Sequence, residues 1–157
     1  IELLKNLRDT NWLGFRTWDS LGLAMDPIIP VPTLENDTYY TIENDFTSGK
    51  GMRIRKLPAS FNADKNTVLD DIKSPSSQIR LCTDSLHRYT HNCAGDDKQK
   101  TSFASFFHVE PLVTRNTITG ANIDVPNAHK IILYFVSTDK GYRVHTMGTI
   151  ITNWKTQ

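Results

Sequence analysis

Two apolar runs of strand length lie near the end of the chain. His129–Val136 (HKIILYFV) and Tyr142–Ile151 (YRVHTMGTII) flank the polar segment Ser137-Thr138-Asp139-Lys140-Gly141. Two such runs joined by a short Gly-containing loop predict a β-hairpin. Alternation puts Leu133, Phe135 and Ser137 on one face of the first run and Ile132, Tyr134 and Val136 on the other. Both faces are largely apolar, which predicts a central strand covered on both sides. Upstream, Thr38–Glu43 (TYYTIE), Gly51–Leu57 (GMRIRKL), Gln78–Cys82 (QIRLC) and Phe103–Val109 (FASFFHV) read as further short strands, and Leu112–Ile118 as a continuation after Pro111. Gly, Ser, Asn and Pro clusters separate them at Ser48–Gly51, Ser74–Ser77, Cys93–Asp97 and Thr119–Asn122. Asn66–Ile72 predicts one short helical turn capped by Asn66 or Thr67. The expected fold is mainly β, an antiparallel sandwich or jelly roll.

The first 37 residues follow a different pattern. Ile1, Leu4 and Leu7 have roughly helical spacing, which predicts a short helix before Asp9. Pro27, Pro30 and Pro32 then exclude a regular helix or a central strand and leave an extended arm. The chain therefore divides into an arm, 1–37, and a β domain, 38–157. Trp12, Phe15, Trp18, Ile28, Ile29 and Val31 give the arm more apolar surface than a free segment exposes comfortably, so they are the expected subunit-interface residues. The chain begins at Ile1 without a methionine, the expectation for a processed or truncated chain or one lacking an N-terminal segment.

Composition narrows the function classes. The chain has 157 residues and a net charge of +1, with 22% charged and 38% hydrophobic residues. That balance suits a folded domain, and no apolar stretch approaches the roughly 20 residues of a membrane-spanning helix. Near-neutrality gives no support for a nucleic-acid partner held by phosphate neutralisation. Arg53, Arg55 and Lys56, with Arg80 and Arg88 nearby in sequence, make a candidate anion or glycan contact, against the plainer reading of a solvated strand face. Arg53 and Arg55 share a strand face opposite Met52 and Ile54.

Cys82, His87, His91 and Cys93 are the densest group of metal-type residues, but their C-x4-H-x3-H-x-C spacing is not a usual zinc arrangement. Three outcomes compete: two free thiols, a Cys82–Cys93 disulfide, and a metal site. Free thiols are narrowly preferred, and no metal or other cofactor is expected. No nucleophile elbow or phosphate-binding glycine loop is present. His108, within FFHVE, reads as a partly buried structural histidine, and His145 as alternating along the last strand. No catalytic residue can be assigned, and the chain is not expected to be an enzyme; a small hydrolase on a β scaffold ranks below the binding and structural readings. Asn36-Asp37-Thr38 is the one N-glycosylation sequon.

The arm segment MDPIIPVPTL (25–34), the polar turns, and the paired runs HKIILYFV and YRVHTMGTII together resemble a viral coat-protein β domain. That resemblance implies self-assembly into a homo-oligomer or capsid shell, residence in the virion, and attachment to host-surface glycan as a second role. The alternative is a secreted, monomeric, lectin-like β-sandwich. The arm discriminates between them: it contacts another subunit in an assembly and packs on its own domain in a monomer.

Overall fold

The structure, a computed structural model, describes Lys5 and residues 33–45 and 51–152. Apart from Lys5, the short helix expected before Asp9 lies outside the described residues, as do the interface residues Trp12, Phe15, Trp18, Ile28, Ile29 and Val31. The architecture is mainly β and antiparallel, a curled sheet of the sandwich-like class. Strands β1 (Thr38–Asp45) and β2 (Gly51–Lys56) precede helix α1 (Lys65–Lys73); β3 (Arg80–Thr83), β4 (Tyr89–Thr90), β5 (Gln99–Arg115), β6 (Asn122–Ser137) and β7 (Arg143–Thr152) follow.

All seven strands belong to one sheet. Strand β5 is its spine. One of its edges pairs with β6, from Phe103↔Ser137 to Pro111↔His129 and again from Val113↔Asp124 to Arg115↔Asn122. Its other edge is shared end to end by β1, at Phe107–Val109, and by β3, at Gln99–Ala104. Strand β2 lies outside β1, β4 outside β3, and β7 outside β6. The C-terminal hairpin is therefore as expected, with ten consecutive pairs from Ala128↔Thr152 to Ser137↔Arg143.

The run at Phe103–Val109 and its expected continuation after Pro111 form one strand, which ends at Arg115. Proline lacks an N–H and is confined to edges and bulges. Here it sits where β1 has stopped pairing, at a register shift between Pro111 and Val113, so β5 continues through it. The facing part of β6 absorbs the extra residues around Asn127, whose φ is 55°.

Because strand residues alternate, the sheet builds a separate core on each face. On one face Tyr40, Ile54, Phe107, Val109, Ile131 and Ile151 pack with Leu34. The Tyr40 and Phe107 rings stack there at 5.3 Å. On the other face Ala104, Phe106 and Val136 meet Leu57, Phe61, Ile79 and the helix residues Val68 and Ile72. The helix is longer than the predicted turn and starts earlier. Asp64, rather than Asn66 or Thr67, is the cap: its carboxylate accepts from the Asn66 and Thr67 backbone N–H groups and from the Thr67 hydroxyl. Asp71 ties the other end to β3, accepting from the Ser77 hydroxyl at 2.6 Å and from the Gln78 and Ile79 N–H groups.

One expectation needs correction. The central strand is not covered along its whole length on both sides. Val136 and Ile131 are fully buried, but Phe135 is 39% exposed. The helical layer covers only the Ala104/Phe106/Val136 face, and Phe135 points to the other face beyond the reach of Leu34's cluster. Residues just before β1 contact the β domain. Leu34 is buried, the Glu35 N–H donates to the Tyr40 hydroxyl at 2.9 Å, and Glu35 accepts from Lys56 Nζ at 2.6 Å. The last residues of the expected arm thus pack on their own domain.

Truncating a side chain tests the face assignment. Phe107→Ala removes a fully buried stacked ring and lowers unfolding free energy by about 3–5 kcal/mol. Phe135→Ala, on the same face but exposed, costs less than about 1.5 kcal/mol. Urea titration of both variants checks the contrast.

Candidate functional site

The segment from Asp84 to Lys98 loops out from β3 and rejoins the sheet only at β4, and most of the chemistry noted in the sequence lies on it. Cys82 and Cys93 are joined in a disulfide, with Cα atoms 5.5 Å apart. This corrects the preference for free thiols: antiparallel pairing of β3 with β4 places Cys82 opposite Thr90, and the chain needs only three more residues to bring Cys93 back. Sequence spacing alone does not contain that pairing. Asp84 organises the tip. One carboxylate oxygen accepts from the Leu86 and Arg88 N–H groups, both at 2.9 Å, and the other meets the Arg88 guanidinium at 2.7–2.8 Å. The Arg88 side chain, then its backbone N–H, holds the Asp84 carboxyl down at about 2.

His87 lies in the exposed turn with φ 58°. His91 is buried, with Nε2 3.2 Å from the Ser105 hydroxyl. Both cysteines are spent in the bridge, and among the described residues no group of three or more His, Cys, Asp or Glu side chains could hold a metal ion. Ser105 and His91 have the atoms of a nucleophile–base pair. Ser105, however, is a strand-interior residue rather than one on a strained turn, so the contact serves as a tie between the disulfide loop and β5.

The basic residues are dispersed. Arg55 is exposed, Lys56 is engaged by Glu35, Arg80 is buried with its guanidinium donating to the Ser74 carbonyl, and Arg88 is paired with Asp84. Arg53 stands opposite Glu43 in the β1–β2 register. The carboxylate of Glu35 raises the Lys56 pKa, and Arg55 beside it is exposed.

Sequence reasoning missed a row of side chains across the helix-side face. Tyr39 stacks on His108 at 4.2 Å, His108 Nδ1 lies 3.3 Å from Glu110, and Glu110 accepts from Lys130 at 2.8 Å. Lys130, and less strongly His108, lower the Glu110 pKa. The spacing His108-x-Glu110 on an alternating strand was the available signal; Lys130 joins only through the β5–β6 register. A second feature is a cleft of about 280 Å³ between Asn36, Pro111 and the segment Asp124–His129. The Asn36 side-chain oxygen, within the sequon, lies 2.9 Å from His129 Nδ1. Among the described residues that line the cleft, His129 is the one with an aromatic ring.

Beyond the cleft, β5 and β6 run on with no other strand paired to them among the described residues. Strand β1 stops pairing β5 at Val109, and β7 stops pairing β6 at Ala128. The two strands therefore project as a ribbon closed by the turn at 116–121, with Val113, Ile118 and Ile123 exposed and Ile118 at 93%. The register puts Val113 opposite Asp124 and Ile123 opposite Thr114, so the two apolar side chains lie on opposite faces of the ribbon.

Comparison with family models, curated proteins and solved structures finds no match. Among the described residues no helix is long and apolar enough to cross a membrane.

Two predictions follow from the loop. Mass analysis without reductant finds no alkylatable thiol, and the Cys82→Ser, Cys93→Ser double variant loses on the order of 3 kcal/mol, the entropy of closing a loop of this length. The Asp84 pKa is depressed on folding, so its contribution is present above the unfolded carboxylate value and is lost as pH falls through the folded one. The stability gap between the natural protein and Asp84→Asn is therefore constant above about pH 5 and closes between about pH 4 and pH 2. Thermal melts across that range measure it.

Proposed function

We propose that this protein is a structural subunit that assembles with copies of itself, in the manner of the viral coat proteins its sequence resembles. The observation that carries this reading is the projecting β5–β6 ribbon. A two-stranded ribbon is marginally stable in water unless a third strand or a packed surface completes it. This one bears Val113 and Ile123 on opposite faces and Ile118 at its tip, all exposed in the single chain. Exposed apolar groups on both faces and at the tip of a projecting element suit contacts with neighbouring chains. A homo-oligomer buries them at neighbouring subunits, and residence in a virion and attachment to host-surface glycan through the Arg55 region belong to the same reading.

A second reading draws on a different observation. The Cys82–Cys93 disulfide suits an oxidising compartment, which favours a secreted glycan-binding module. The packing of Leu34 and Glu35 on their own domain also leans that way.

Sedimentation and electron microscopy separate the two. The expected result is a closed particle or discrete oligomer, and the triple variant Val113→Ser, Ile118→Ser, Ile123→Ser shifts the assembly midpoint to roughly tenfold higher concentration with little change in Tm, because these side chains are exposed before assembly. A natural protein that stays monomeric at high concentration and binds a glycan overturns the assembly reading in favour of the second.

A further inference from the structure

Strand β7 lacks the devices by which sheet edges normally avoid pairing. Such edges are kept short or carry bulges, prolines or inward-pointing charges. Strand β7 has ten residues, an unbroken register with β6 and no proline. Among the described residues it pairs with β6 alone. Its charged and titratable groups, Arg143 and His145, are confined to one end. Three of its apolar side chains are exposed: Val144 at 39%, Met147 at 59% and Ile150 at 53%.

The placement of these three residues identifies the partner. Met147 lies on the Leu133/Phe135 face of the sheet, and Val144 and Ile150 lie on the helix-side face. Val144 and Ile150 stand the same number of residues before and after Met147. A second strand joining the edge antiparallel under a two-fold axis perpendicular to the sheet keeps each face in register with itself. With that axis through Met147, Met147 meets its own copy, Val144 meets the second copy's Ile150, and Ile150 meets its Val144. Thr146 meets Gly148, and His145 meets Thr149. Arg143 stands opposite Ile151, so no like charges face each other. Each exposed apolar group on the edge finds an apolar partner.

Neighbouring axes do worse. An axis through Gly148 sets Met147 opposite Thr149 and Val144 opposite Thr152. An axis through Val144 sets Arg143 opposite His145 and leaves Ile150 unpaired. The Met147 axis also uses Arg143 to Ile151 of each copy, nearly the whole strand.

We infer that β7 is a self-pairing edge: two copies of this chain join through antiparallel β7 strands about a two-fold axis at Met147, giving one continuous sheet across both subunits. The inference rests on the assembly reading and specifies one of its contacts, separate from the β5–β6 ribbon.

Introduced thiols read the register directly. Directly opposed residues have Cβ atoms about 4.5–5.5 Å apart, within reach of a short bismaleimide. The full chain carrying Met147→Cys, with the Cys82–Cys93 bridge intact, gives a covalent dimer. Val144→Cys alone and Ile150→Cys alone do not, since each is displaced from its own copy by about 20 Å along the strand. An equimolar mixture of those two variants does give the dimer. Ile150→Lys, which places a charge at both symmetric contacts, raises the dissociation constant on the order of tenfold or more while circular dichroism stays unchanged. An oligomer by sedimentation that yields no Met147→Cys dimer, or one in which Val144→Cys cross-links to itself, overturns the β7 inference and leaves the assembly reading standing. A monomer at all concentrations overturns both.

Discussion

The antiparallel ladder between β5 and β6 runs unbroken from Phe103↔Ser137 to Pro111↔His129, and both cores are built on its faces. Consecutive residues of a strand point to opposite sides. Phe106 and Phe107, adjacent in sequence, therefore anchor different clusters: Phe106 under the helical layer and Phe107 against Tyr40. A shift of this ladder by one residue would send Tyr134 and Val136 of β6 to the face opposite Phe106 of β5. The shorter strands then attach to an edge that the ladder has already fixed. Strands β1 and β3 can share the far edge of β5 because that strand is long enough to hold them end to end.

The same ladder explains where local chemistry gathers. Lys130 reaches Glu110, and Glu110 reaches His108, because the register sets Glu110 opposite Lys130 and alternation returns His108 to the same face. The disulfide loop is a second, smaller unit. It hangs from β3 by the Cys82–Cys93 bridge, is shaped at its tip by Asp84 and Arg88, and is held to β5 by the His91–Ser105 contact.

Where the ladder outruns its neighbours, the chain becomes a candidate for partnership. Past Val109 and Ala128 neither β1 nor β7 follows, and the exposed apolar side chains of the ribbon lie beyond that point. On the opposite side of β6, β7 closes the described sheet with an edge that is long, regular and partly apolar. Both features come from one arrangement, two long central strands flanked by shorter ones, and both support reading the molecule as a unit built to meet others.

The sequence by itself determined the β class, the C-terminal hairpin and the place of the short helix, though not its cap, because those depend on alternation and turn residues within a few positions of one another. HKIILYFV and YRVHTMGTII hold their own pairing signal, with Gly141 ending the loop between them. Periodicity could not reveal that Pro111 lies within a strand, since its tolerance depends on β1 having ended at Val109 on the neighbouring edge. Nor could it choose between thiols and a bridge, because the Cys82–Cys93 approach is set by β3 pairing with β4, the latter only two residues long. The dispersal of Arg55, Lys56, Arg80 and Arg88 and the row from Tyr39 to Lys130 were decided in the same way. Each depends on which strands become neighbours, and that follows from how the whole chain buries its two apolar faces, not from any segment alone.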